Sequence, residues 1–218
     1  KMTIVTNDPT KRYYYTLLFD DKYRVKIATR NINIPGVQNF RDLGGYPSYS
    51  TKKQMRWGMI YRSAEIDSLE CSSRRELKNL GIKTLIDLRA SSEIGRQSPL
   101  QKGFNVVHIP LATGDMEDIL KGIREEKIKC DTVYRMVERM NRVLIDQYTK
   151  EYRQIFDILL DKNSYPVVIH CSSGKGRTGI VSALVLAALG INEDIIMEDY
   201  RLSNDYFNIP SASKYAYQ

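Results

Sequence analysis

A chain of 218 residues, 42% hydrophobic and 27% charged, has the composition of an ordinary soluble globule with enough apolar matter for a real core. Thirty-three Lys and Arg against 26 Asp and Glu give a formal charge of +7. That balance favours anionic partners without choosing among phosphorylated protein, inositol phosphates, acidic lipid and nucleic acid, and plain solubility explains it equally. Three cysteines (Cys71, Cys130 and Cys171) and two histidines (His108 and His170) are too few and too scattered for a disulfide framework or a structural metal. No stretch is long and apolar enough to cross a membrane, so stable membrane insertion is not expected. No leader is visible. The chain opens inside a strand-like run, "KMTIV", which leaves the compartment open between the cytoplasm and an exported location.

In chain order, "RYYYTLLFDDKYRVKIAT" (12–29) reads as two β-rich runs around Asp20 and Asp21, a hairpin. Turn residues Pro35, Gly36, Gly44, Gly45 and Pro47 follow, and a boundary near residue 33 separates a β appendage (1–33) from the main domain (34–218). "SSRRELKNLGI" reads as a helix with Leu77 and Leu80 inward, stopped by Gly81. "KTLIDLR" and "NVVHIPL" are strand-length apolar runs. From 115 to 161 the spacing turns helical. Val133, Met136, Val137, Met140 and Leu144 form one stripe and Tyr148, Tyr152, Ile155, Phe156 and Leu159 another, both read as core. Strand "PVVIH", a glycine turn, a helix over about 178–189 and a last helix through "EDIIMEDYRLSND" complete the chain. Strands alternating with helices predict an α/β fold, a central sheet flanked by helices.

The turn "HCSSGKGRTG" (170–179) carries the chemistry. Its G-x-G-x-x-G pattern, with Asp199 downstream, is compatible with a dinucleotide loop, but too little chain follows for the further strand–helix units that fold needs. A nucleotide P-loop fails, because Gly174-Lys175 is followed by glycine. A third reading uses residues the others leave idle. Cys171 and Arg177 bracket five residues, Ser172, Ser173, Gly174, Lys175 and Gly176, between a strand and a helix. A loop of that length can turn its N–H groups onto one point and bind an anion, aided by the positive end of the helix dipole. Arg177 supplies a planar fork for two phosphoryl oxygens. The same positive field favours Cys171 as the thiolate, the nucleophile. In-line attack on phosphorus then gives a cysteinyl-phosphate that water hydrolyses, with Thr178 offering its hydroxyl to the departing thiolate. His170 reads as a brace for the loop or as a satisfied buried histidine. If no carboxylate reaches the leaving oxygen, the chain could instead bind phosphate and turn over poorly; the intact Cys171–Arg177 pair argues against that.

The loop resembles the signature of the cysteine-based protein tyrosine phosphatase superfamily. The blocks "NFRDLGGY", "RWGMIYRSAEI", "LGIKTLIDLR", "YTKEYRQIF" and "MEDYRLSND" resemble, in order, those of its bacterial tyrosine/lipid phosphatase branch. The resemblance covers about residues 37–206. It implies a mostly parallel central sheet with helices on both sides, a metal-free and cofactor-free mechanism, and a phosphorylated protein or a phosphoinositide as substrate rather than nucleic acid. That branch usually carries Asp before the loop arginine, where this chain has Gly176. "GKGR" resembles instead the loop of animal phosphoinositide 3-phosphatases, and Lys175 adds a positive charge that suits a polyanionic headgroup or serves loop electrostatics. With no loop carboxylate the proton donor must lie elsewhere. The resemblance favours Asp87, with Asp115 and Asp118 as rivals. The alternative for Asp87 is a strand-end ion pair with Arg89 or Arg41, and Arg41 and Asp42 either order the rim or cap turns.

Overall fold

The computed structural model describes residues 12–67, 71–94, 103–112 and 130–208. Strands β1 (Tyr14–Phe19) and β2 (Tyr23–Ala28) form an antiparallel hairpin in which Phe19 faces Tyr23. Asp20 and Asp21 turn the chain with φ of 49° and 52°, the left-handed conformation that a short polar side chain tolerates.

The second sheet has five strands: β3 (Arg41–Asp42), β4 (Ile60–Ser63), β5 (Thr84–Asp87), β6 (Asn105–His108) and β7 (Val167–His170). Their order is β3-β4-β7-β5-β6. All neighbours are parallel except β3, which runs antiparallel to β4 at the edge. Every residue of β4, β5 and β7 is buried, as expected of parallel strands covered on both faces. Side-chain alternation splits them between two cores. Val167 and Ile169 pack with Ile86, Leu144, Ile155, Val181 and Val185 on one face; Val168 packs with Leu85, Tyr61, Leu77 and Ile82 on the other.

Helices α1 (Cys71–Asn79), α2 (Cys130–Gln147), α3 (Thr149–Leu160), α4 (Gly176–Ala188), α5 (Glu193–Arg201) and α6 (Ser203–Tyr206) flank the sheet. The fold is thus α/β with a mostly parallel sheet. Three local expectations change. Helix α4 begins at Gly176, two residues early, so Arg177 lies in its first turn. The expected last helix is two, divided at Leu202. The first apolar stripe is not a core stripe: Leu144 is buried, Val133, Met136 and Met140 are half-buried, and Val137 is exposed. Burial in α2 is concentrated near its C-terminal end. Asp115 and Asp118 lie outside the described residues. No helix among the described residues is long and apolar enough to cross a membrane.

The hairpin is fastened to the sheet by polar contacts. Arg12 pairs with buried Asp42 at 2.6 Å and donates to the Tyr61 hydroxyl and the Thr29 carbonyl, each at 3.0 Å. Trp57 Nε1 donates to the Lys26 carbonyl at 2.9 Å. Asp42 keeps the Gly44 and Gly58 N–H groups when Arg12 is removed, so the loss is partial. Arg12→Met should cost about 1–3 kcal/mol in urea unfolding and raise amide exchange in residues 14–28. Unchanged protection there would show that Arg12 does not fasten the hairpin.

Candidate active site

Strand β7 delivers Cys171 to the C-terminal edge of the sheet, where open α/β folds bind ligands. Its neighbours end level with it: Ser63 of β4 and Asp87 of β5 both register against His170. Cys171 is buried, 1% exposed, and the next residues curl into α4, whose first N–H groups have no intrahelical acceptor. The curl requires Gly174. Its φ is +67°, and a Cβ there would lie 2.4 Å from the Ser63 carbonyl oxygen.

The loop is held from behind by its carbonyls. Arg62 Nη2 donates to the Gly174 carbonyl at 2.7 Å, and Asn39 Nδ2 donates to the Ser173 and Gly174 carbonyls at 3.1 and 3.0 Å. Arg62 Nη1 is fixed by Asp199 Oδ2 at 2.7 Å. Arg41 reaches the same carboxylate through Nε at 3.3 Å and the Asp199 carbonyl and Ser203 hydroxyl through Nη2 at 2.8 and 3.1 Å. Arg41 also donates to Asn39 Oδ1, and the Tyr46 hydroxyl donates to Asp199 Oδ1 at 3.0 Å. Burial, then the charge of Arg62, lower the Arg41 pKa to about 10 against the pull of Asp199. Burial works against the Asp199 anion, but Arg62 and Arg41 outweigh it and hold its pKa below the ordinary range. Asp199 therefore serves the loop from behind and has no dinucleotide role. Arg41 belongs to this lattice. Asp42 caps the Gly44 and Gly58 N–H groups at 2.7 Å each and pairs with Arg12.

The front of the loop is held by Glu93, in a 3-10 turn after β5. Its carboxylate accepts from Arg177 Nη1 and Nη2 at 2.5 and 2.7 Å, from the Ser172 hydroxyl at 2.6 Å, and from the Ala90 N–H at 2.8 Å. Burial disfavours the charged carboxylate, but those donors draw the Glu93 pKa down to about 2. Burial likewise disfavours the Arg177 cation. Glu93 and the neighbouring Cys171 sulfur outweigh it and raise the Arg177 pKa.

Asp87 accepts from Arg89 Nε at 3.0 Å, Nη2 at 2.6 Å and the Arg89 N–H at 3.0 Å. Burial raises the Asp87 pKa, but the Arg89 hydrogen bonds overcome it and leave it below the ordinary value. A carboxylate so held is ionised at neutral pH. Arg89 also grips Asp67, through Nη1 at 2.5 Å and Nη2 at 2.9 Å. His170 is wholly buried, and its ring nitrogens have no hydrogen-bond partner among the described residues. Its Nδ1 stands 4.0 Å from Asp87 Oδ1, and burial drives its pKa down to about 4, so the ring is neutral. The loop-bracing expected of it falls to Asn39 and Arg62. Thr178 Oγ1 is buried without a partner among the described residues. Lys175 lies at the rim, Nζ 3.3 Å from Asn204 Oδ1, and Gly176 adjoins open space, with nothing within 4 Å of a Cβ.

The structure thus brings Cys171, Ser172 and Arg177 onto one loop with Asp87 at the adjoining strand end. It adds Asn39, Arg62 and Glu93, which the sequence did not single out, gives Asp199 a place behind the loop, and forms the Asp87–Arg89 pair that was the alternative reading of Asp87. Among the described residues no three His, Cys, Asp or Glu gather as a metal site.

A buried thiol and a guanidinium on a strand–loop–helix anion cradle define the cysteine-dependent phosphatases. The chain belongs to the tyrosine phosphatase family, whose pattern matches residues 32–217. It is 32% identical to the triple specificity protein phosphatase PtpB of Mycobacterium tuberculosis over 79% of this chain and 68% of that protein. It is 29% identical to the putative tyrosine-protein phosphatase H16_A0669 of Cupriavidus necator over 77% of this chain and 61% of that one. Among solved structures, P. aeruginosa TpbA in complex with pTyr is similar at 16% identity and a TM-score of 0.38, covering 68% of this chain and 70% of its own. By family, the chain is a cysteine-dependent phosphatase of the protein tyrosine phosphatase type.

Glu93 was not visible as a site residue, although an acid six positions after the strand-end Asp87 was there to see. Glu93→Gln keeps the shape and gives up the charge on two short contacts to Arg177. It should lower kcat/KM by about 10- to 100-fold, the worth of one charged hydrogen bond. Since Glu93 stays ionised above about pH 2, the pH profile above pH 4 should keep its shape. An unchanged kcat/KM would show that Arg177 needs no clamp.

Proposed function

We propose that the chain hydrolyses phosphomonoesters through a cysteinyl-phosphate on Cys171, with phosphotyrosyl protein as the principal substrate class. One observation carries this reading: Cys171 and Arg177 share a loop whose carbonyls are bound from behind by Asn39 and Arg62. Carbonyls drawn backward leave the opposed N–H groups facing the anion. Cys171 Sγ attacks phosphorus as the ester P–O bond breaks, and a proton passes to the departing oxygen. Arg177 and the loop N–H groups from Ser172 to Thr178 bind the equatorial oxygens, whose charge they stabilise. Water then attacks the cysteinyl-phosphate and releases inorganic phosphate and the thiolate. Asp87, ionised against Arg89, acts in this scheme as a positioning group.

A second substrate class, phosphoinositides, is favoured by one feature. Lys175 stands at the rim beside Gly176, where no atom of the described residues comes within 4 Å of a Cβ, so a second phosphate would meet a cation there. PtpB, the relative named for triple specificity, agrees with a site open to several phosphomonoesters.

Cys171→Ser should abolish turnover while still binding phosphate. Arg177→Lys should lower kcat/KM by about 10²–10³-fold, the usual loss when a transition-state oxygen loses its paired donors. A panel of phosphotyrosine peptides, phosphoserine peptides and phosphoinositides reads the preference directly. Turnover by Cys171→Ser, or near-normal rates in Arg177→Lys, would defeat the mechanism.

A further inference from the structure

The leaving oxygen departs opposite the attacking sulfur, outward through the mouth of the loop, and the group that protonates it must stand there with a proton to give. Glu65, Asp67, Asp87 and Glu93 gather on this side of the sheet, and three of them are clamped by arginine. Asp87 and Asp67 each accept from two nitrogens of Arg89. Glu93 accepts from two nitrogens of Arg177.

Glu65 differs. Among the described residues its ion-pair partner is Arg89, whose Nη1 is 3.6 Å away, beyond hydrogen-bond range, and its side chain is 42% exposed. Its backbone is nonetheless fixed to the loop. The Glu65 N–H donates to the Ser172 carbonyl at 3.2 Å, one residue from the nucleophile, and the preceding Ser63 and Ala64 pack against Gly174. The carboxyl is thus carried on a backbone fixed to the loop, is partly exposed, and lies near enough to feel the charge of Glu93, which holds Arg177 and Ser172.

We propose that Glu65 is the general acid, donating its proton to the departing ester oxygen; the assignment rests on the phosphatase reading above. The surroundings support it. Partial burial favours the neutral carboxyl; Arg89 opposes this, while the charges of Asp67, Asp87 and Glu93 add to it, and the Glu65 pKa stands above its ordinary value. The step balances. The S–P bond forms as the P–O bond breaks, and the Glu65 hydrogen goes to the ester oxygen, which leaves as a neutral alcohol or phenol. The Glu65 carboxylate then takes a proton from the water that attacks the cysteinyl-phosphate as the S–P bond breaks, so the acid and the thiolate are restored and inorganic phosphate is released.

The test compares Glu65→Gln, Glu65→Asp, Asp87→Asn, Asp115→Asn and Asp118→Asn on p-nitrophenyl phosphate and on phenyl phosphate, whose leaving group needs the proton far more. Glu65→Gln should lower kcat on phenyl phosphate by about 10²–10⁴-fold and much less on p-nitrophenyl phosphate. The wild-type fall in kcat/KM as pH rises through the Glu65 ionisation should vanish in Glu65→Gln and return in Glu65→Asp. Asp87→Asn should lose equally on both substrates. A loss in Glu65→Gln that is absent or independent of leaving group would overturn the proposal. So would the leaving-group signature in any of the three aspartate variants. Quenched wild-type turnover should trap phosphate on Cys171. If it does not, the phosphatase reading falls and the Glu65 role with it; if it does while Glu65→Gln behaves as wild type, only the Glu65 role falls.

Discussion

The site depends on one buried carboxylate shared by two buried arginines. Asp199 is 1% exposed and Arg41 and Arg62 are fully buried, so the three charges meet largely out of water. Two guanidiniums at that depth would repel each other without an anion between them. With Asp199 in place the lattice keeps one net positive charge behind the loop that must bind a phosphoryl anion. The Asp199 pKa is depressed in the fold, so its stabilising contribution is present above the ordinary aspartate range near about 4 and is lost as pH falls through the folded value.

From this lattice the loop is built in two directions. Behind it, Arg62 and Asn39 take the Ser173 and Gly174 carbonyls, which orients those peptides before any ligand arrives. In front, Glu93 seats Arg177 and Ser172, so the guanidinium stands beside the sulfur rather than swinging into solvent. The site is preorganised by hydrogen bonds whose other partners, Asn39, Arg62 and Glu93, sit on three separate segments. Beside it, Arg89 hydrogen-bonds Asp67 and Asp87 and keeps Asp87 ionised, while Glu65, anchored to the loop by its N–H, meets Arg89 only at 3.6 Å.

Much of this was legible in the sequence. Apolar runs of strand length, glycines at helix ends and the spacing from Cys171 to Arg177 report local constraints, and a local constraint is written in neighbouring residues. The central sheet flanked by helices and the strand–loop–helix followed from them; that the sheet is mostly parallel came from the family resemblance. What stayed hidden is carried by pairs far apart in the chain. Nothing near Arg62 announces that its partner is Asp199, and Asp199 drew notice only for its distance from a glycine pattern. Asp87 was placed correctly at a strand end, and its pairing with Arg89 was one of the two readings the D-L-R string offered; that Arg89 also takes Asp67 from another segment was not in the string. Helix α2 misled in the opposite sense. Its apolar stripe has the helical period of a core face, but its burial is centred on Leu144, near one end, and periodicity cannot say what covers a face.

Phosphate binding by the loop should depend on its backbone being held from behind. The direct measurement is the phosphate dissociation constant of the Cys171→Ser protein with and without Arg62→Lys, by titration calorimetry. Lysine keeps the charge beside Asp199 but cannot serve that carboxylate and the Gly174 carbonyl with one planar fork. The Arg62→Lys protein should still unfold cooperatively and bind phosphate about tenfold or more weakly, the worth of one charged hydrogen bond. A folded Arg62→Lys protein with unchanged phosphate affinity would contradict that dependence.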